Sequence, residues 1–173
     1  MKKLLLIFFI LASPINAEES AFVKFRALKP EIYLSMAEAA LEHCRNAGFQ
    51  VGVMVTDRFG IPQVFLRDRY AGVHVFEMTE RKAWTAVTFR TSTTELANIT
   101  QPGMPLSGLR DLSKSVLLGG GLPVMDGDGS LVAGIGISGA PGPDEDEACA
   151  LAGIAAVEDE IAVSYTHLRA HET

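Results

Sequence analysis

Reactive side chains are scarce in this chain of 173 residues: two cysteines, one tryptophan and four histidines. There is no CxxC, no HExxH, no pair of carboxylates at acid–base spacing and no Ser/His/Asp set. A hydrolase or a thiol redox enzyme therefore has no support in the sequence. Positive charge is also short: 15 Lys and Arg stand against 21 Asp and Glu, for a net charge of −6. An acidic surface argues against nucleic acid and anionic membrane as partners. Low-complexity linkers and internal repeats are lacking, and the length suits one domain.

The longest apolar run lies at the start. Lys2 and Lys3 precede Leu4 to Ala12, a run of signal-peptide length that is too short for a stable membrane anchor. Ile15-Asn16-Ala17 is an acceptable cleavage site, so residues 1–17 are expected to be a signal peptide cleaved after Ala17. No Cys follows the run to carry a lipid. The expected location is periplasmic or secreted. At the other end, residues 163–173 read VSYTHLRAHET, the translation of a common sequencing adapter. This stretch is set aside as read-through rather than native chain, and His167 and His171 with it. The domain is expected to span 18–162, enough to bury roughly 68–70% of its unfolded surface.

Within it, Pro30 to Ala47 has helical spacing, with Ile32, Met36, Ala39, Ala40, His43 and Ala47 on one face and Gly48 as the stop. Gln50 to Thr56 and Ile61 to Arg67 read as strands joined by an Asp57–Gly60 turn. Val73 to Arg90 is a second helix, with Phe76, Ala83, Trp84 and Val87 as its apolar stripe. Ser92 and Glu95 form a capping-box pattern for a short helix ending near Thr100. Gln101 to Ser107 is loop, and Val116 to Leu118 is a short strand or turn. Leu122 to Met125 and Leu131 to Ser138 pair as a hairpin across Asp126-Gly127-Asp128-Gly129. A last helix begins after Pro143, its first turn carrying acids that favour a helix N-terminus. This order implies an α/β (α+β) domain, an antiparallel sheet packed with helices.

Cys44 and Cys149 each fall on an expected helix. An oxidising compartment allows a disulfide between them, worth up to ~4.7 kcal/mol in the chain-entropy model. The alternative is two small apolar residues packed separately. Gly134-x-Gly136-x-x-Gly139 matches a dinucleotide fingerprint in spacing. Pro141, Pro143 and the acids of the helix start speak against a pyrophosphate there, so the glycines are read as room for close backbone packing. Asp126 and Asp128 start like a calcium loop but lack its remaining ligands, which favours a plain turn.

His43 falls on the apolar face of the first helix and is expected to be a hydrogen-bonded core or interface residue. His74 stands at a loop-to-helix junction near Arg67, Arg69, Arg81 and Lys82. A neutral imidazole there is either an iron ligand or a helix-start residue bonding local backbone. Met78, four residues on along the same helix, cannot bind the side of one metal centre opposite His74.

Three stretches carry a family resemblance: AEAALEHCRNAGFQVGVMVTDRFGIP, ERKAWTAVTFRTSTTEL and GGGLPVMDGDGSLVAGIGISGAPGPDEDEACALAGI. In the second, Arg81-Lys82-Ala83 and Thr93-x-x-Leu96 are typical. Together they resemble the GlcG/HbpS-type haem-binding family, also called haem-degrading domains, over nearly all of residues 28–162. The resemblance implies a small profilin-like α/β domain that forms homo-oligomers, with haem bound near subunit contacts in some members. Exported members are linked to extracellular haem or iron stress, and others are fused to a corrinoid adenosyltransferase. The expected function is an exported haem-binding protein that stores, buffers or senses haem. The alternatives are a non-catalytic oligomeric module for another small ligand or protein, and a haem-degrading enzyme. No axial residue carries over from the family, so His74 is the iron-ligand candidate from position alone. Arg81 and Lys82 would either pair with haem propionates or form a structural ion pair in the oligomer.

Overall fold

The computed structural model describes residues 21–163, so the expected leader and the 164–173 part of the expected read-through tail lie outside the described residues. The elements are α1 (Pro30–Asn46), β1 (Gly52–Asp57), β2 (Pro62–Arg67), α2 (Val75–Phe89), α3 (Thr93–Ile99), β3 (Gly121–Met125), β4 (Leu131–Ser138), α4 (Pro143–Ala155) and α5 (Glu158–Val163), with a 3-10 turn at Ser107–Asp111. The strands form one antiparallel sheet in the order β2-β1-β4-β3. Helices α1 and α4 cover one face and α2 the other. Residues 116–118 form no strand; the 3-10 turn and α5 were not foreseen.

The main core lies between the sheet and the α1–α4 pair. Val53, Val55, Ile135 and Ile137 face Tyr33, Met36, Ala37, Ala40 and Leu41. Cys44 and Cys149 join α1 to α4 as a buried disulfide with a Cα–Cα distance of 5.6 Å. The oxidised alternative is thus the one formed.

The opposite face is built differently. α2 lies directly on the sheet backbone because β1 and β4 present glycine to it. A Cβ at Gly136 would stand 2.2 Å from the carbonyl oxygen of Thr79, and one at Gly134 2.3 Å from Val87. The same holds at Gly121 against the Lys82 carbonyl, at 2.6 Å. The 134–139 glycines therefore serve helix–sheet packing, as expected, and not a phosphate.

Both hairpins close with one five-residue device. Asp57 Oδ1 accepts from the Phe59 and Ile61 amides, and Asp126 Oδ1 from those of Asp128 and Ser130. Gly60 and Gly129 follow at φ 77 and 75, a left-handed conformation that costs glycine nothing. The register puts both turns at one end of the sheet. The segment before α1 crosses that end: Phe25 stacks edge-on against Phe59, and Arg26 pairs with Asp126 and Asp128.

One buried ion pair ties the two helical layers through the sheet. Lys82, on α2 and 0% exposed, donates from Nζ to Asp146 on α4 at 2.7 Å and to the Ile137 carbonyl at 2.8 Å. The other oxygen of Asp146 accepts the Ala140 amide at 3.1 Å. Burial pushes the Lys82 ammonium below its ordinary range, opposed by Asp146 beside it. Burial likewise raises Asp146, against the pull of Lys82. Gly120, at φ 104, sits against this pair: a Cβ there would come 2.6 Å from Asp146 Cβ.

Three outcomes follow from this framework. Reducing the disulfide should lower unfolding free energy by roughly 2–5 kcal/mol, read from denaturant melts with and without reductant. Asp146→Ala leaves a buried, unpaired ammonium and should cost about 3–5 kcal/mol, whereas the Lys82→Met/Asp146→Leu double variant should recover much of that loss in the same melts. For Asp126, burial raises the carboxyl, but bonds from Ser130, Arg26 and Asp128 outweigh it and leave it below the usual range. Its stabilisation is therefore present at neutral pH and lost as pH falls below about 4 through its folded value. Asp126→Asn should cost about 1 kcal/mol at pH 7, a difference that vanishes in acid melts.

Candidate functional site

The loop from β2 to α2, residues 68–74, lies at the opposite end of the sheet from the two turns. Its base is held rigidly. Asp68 is buried and accepts from the Val51 amide at 3.2 Å and from Arg45 Nε at 2.6 Å. The Asp68 amide donates to the Val51 carbonyl at 2.9 Å, and Arg67 donates to the Ala71 carbonyl. Beyond this base the chain turns outward. Tyr70 is 81% exposed, Val73 90% and Phe76, on the first turn of α2, 50%.

His74 is the N-cap of α2 and is exposed. Its side chain makes no capping bond, and the imidazole has no hydrogen-bond partner among the described residues. The local-backbone alternative is therefore not formed. The ring folds back over Gly72, where a Cβ would approach its Cε1 and Nδ1 to 2.6 Å. Arg69 is exposed on the same loop and makes no ion pair or hydrogen bond among the described residues. One loop thus offers an imidazole lone pair, an uncommitted guanidinium and apolar surface from Tyr70, Val73 and Phe76. Such a donor set suits a flat, largely apolar ligand that carries a metal and carboxylates.

The other basic candidates are engaged within the fold. Arg81 donates to the carbonyls of Ser113, Lys114 and Ser115 and pairs with Glu77 at 3.0 Å, stapling the 113–115 segment to α2. Lys82 points inward to Asp146, so the structure corrects its reading as a propionate partner: its ion pair lies inside one chain. Of the four basic residues around His74, Arg69 is the one with no hydrogen bond or ion pair among the described residues, and its place five residues before His74 is the signal the sequence offers. For His43 the structure corrects the core half of the expectation: the stripe that α1 buries runs through Tyr33, Met36, Ala37, Ala40, Leu41 and Cys44, which turns His43 to the surface of the chain and leaves the interface alternative open. Met78 is half-buried one turn after His74. No cluster of three His, Cys, Asp or Glu that could hold a metal ion occurs among the described residues, and Asp126 and Asp128 serve the turn and Arg26.

Comparison with known proteins bears on this arrangement. The family model described as haem degrading protein HbpS-like matches residues 28–155. The crystal structure of a double mutant of Streptomyces reticuli HbpS superposes with a TM-score of 0.73 at 38% identity, covering 83% of this chain and 96% of that one. The crystal structure of a PduOC:haem complex gives a TM-score of 0.72 at 35% identity, covering 76% of this chain and 95% of that one. The corrinoid adenosyltransferase PduO of Salmonella typhimurium is 38% identical over 106 residues, which are 60% of this chain but only 31% of that enzyme. An antiparallel sheet between helical layers, the glycine-lined seat of α2 and the match over 28–155 place the chain in the HbpS-like haem-degrading protein family.

Proposed function

We propose that this chain is an exported haem-binding protein that stores, buffers or senses haem, with His74 as the iron ligand. The observation that carries the reading is the exposed imidazole of His74, free of hydrogen bonds among the described residues and flanked by exposed Tyr70, Val73 and Phe76. Family membership and the haem complex of the PduOC relative support the ligand. Haem would bring an iron that needs axial donors and a porphyrin whose apolar faces need cover. This chain supplies a nitrogen donor, apolar side chains beside it and Arg69 for a propionate. The leader pattern of residues 1–17 and the buried Cys44–Cys149 disulfide support export to an oxidising compartment.

Storage without turnover and degradation are told apart by the fate of the bound haem when a reductant is added. The test is a haemin titration of the mature chain, followed in the Soret region. A saturable, stoichiometric shift is expected, and the band should persist when a reductant is added. Loss of the band with release of an open-chain product would point to degradation instead; no shift would remove haem as the ligand. His74→Ala should alter the iron spectrum and weaken binding by about tenfold or more, each tenfold being about 1.4 kcal/mol. His43→Ala should leave both unchanged.

A further inference from the structure

We propose that the cavity between the start of α1, α5 and the β3–β4 turn binds a free amino acid with an aliphatic side chain, its ammonium on Glu160 and its carboxylate on Lys29. The cavity lies at the turn end of the sheet, away from His74, so the proposal does not rest on the haem reading. Its volume is about 350 Å³, at the small end of the about 300–1,000 Å³ found for ligand pockets. Leu28, Ile32, Val132 and Ile161 make its apolar side. Val132 and Ile161 are buried members of the main core, so this side is core surface rather than loop. The segment that carries Arg26 closes another side and is held there by Asp126 and Asp128.

Charge decides what such a cavity takes. Arg26 and Asp126 pair with each other in its wall and offer a ligand no net charge. Lys29 and Glu160 stand at its exposed rim, and their side chains make no ion pair or hydrogen bond among the described residues. One free ammonium and one free carboxylate thus flank a single apolar surface. A simple carboxylate would leave Glu160 facing its own sign, and a simple amine would do the same at Lys29. A zwitterion matches both, and an aliphatic side chain suits the apolar side. The neighbouring cavities lack this combination. The one between α4, α5 and the turn is lined by Asp126 and Glu158 with no cation. The one across the Arg26 segment carries Lys24 and Arg58, and its carboxylate is Asp126, already committed to Arg26.

The test is isothermal titration calorimetry of the mature chain without haem, with leucine as the probe. Saturable binding at one site per chain is expected. Glycine has no side chain to bury and should bind about tenfold more weakly or worse. Leucinamide and N-acetylleucine each lack one of the two charges and should each bind about threefold more weakly or worse. Lys29→Gln and Glu160→Gln, at exposed positions, should keep the circular dichroism of the fold and should each weaken leucine by about threefold or more. Lys24→Gln, in the cavity next door, should leave the affinity unchanged, as should His74→Ala. No saturable heat at two temperatures, with no rise in unfolding temperature on adding leucine, would overturn the proposal. So would leucinamide or N-acetylleucine binding as well as leucine, or an affinity that either rim variant leaves unchanged. Displacement of leucine by haemin would assign the cavity to haem and overturn it too.

Discussion

The seating of α2 on bare sheet backbone is the constraint from which most of this structure follows. At Gly134 and Gly136 nothing larger than hydrogen fits between strand and helix. The helix can then sit low enough for Lys82 to reach past β4 and meet Asp146 on the other side. The Gly119-Gly120-Gly121 run is the same requirement seen from the next chain segment. Gly119 meets Thr94 and Pro143, Gly120 meets Asp146 and Ile137, and Gly121 meets Lys82 and Thr93. A glycine cluster that invites comparison with a nucleotide loop is here the consequence of three elements passing within van der Waals distance of one another.

The two faces of the sheet are held by different means. The α1–α4 face has an ordinary aliphatic core with a disulfide through it. The α2 face has few large side chains and relies on close backbone contact, threonine hydroxyls and one ion pair. Thr93 Oγ1 receives the Gly121 amide at 2.8 Å and Thr85 Oγ1 that of Val116 at 3.0 Å. Buried polar groups of this kind stabilise only in one geometry, so they specify the position of α2 more than they add to overall stability. That specificity fixes the N-terminus of α2, and with it the place of His74.

The sequence was legible where spacing is governed by local chemistry. Strand pairs, the Asp-led turns, the Ser92 cap receiving the Glu95 amide and the α4 start all follow from residues within a few positions of each other. It was less legible where helical phase or long-range partners decide. The stripe chosen for α1 was rotated from the buried one and so turned His43 inward; that chosen for α2 put Phe76 in the core in place of Val75 and Thr79. Lys82 looked like a surface cation because its partner lies 64 residues away. Arg69 stands near His74 in the sequence, but it precedes the helix and so has no helical spacing to single it out as a propionate partner in place of Arg81 and Lys82.

The disulfide has a further consequence for the molecule's covalent integrity. Its cysteines lie 105 residues apart and enclose the exposed stretch from Gln101 to Lys114, where Met104, Leu106 and Leu112 are open to solvent. A single peptide-bond cleavage in that stretch would not divide the protein into separable pieces. Both fragments would stay joined at Cys44 and Cys149, each contributing strands to the same sheet. Wherever thiol reductants are scarce, a nicked chain of this design remains one molecule.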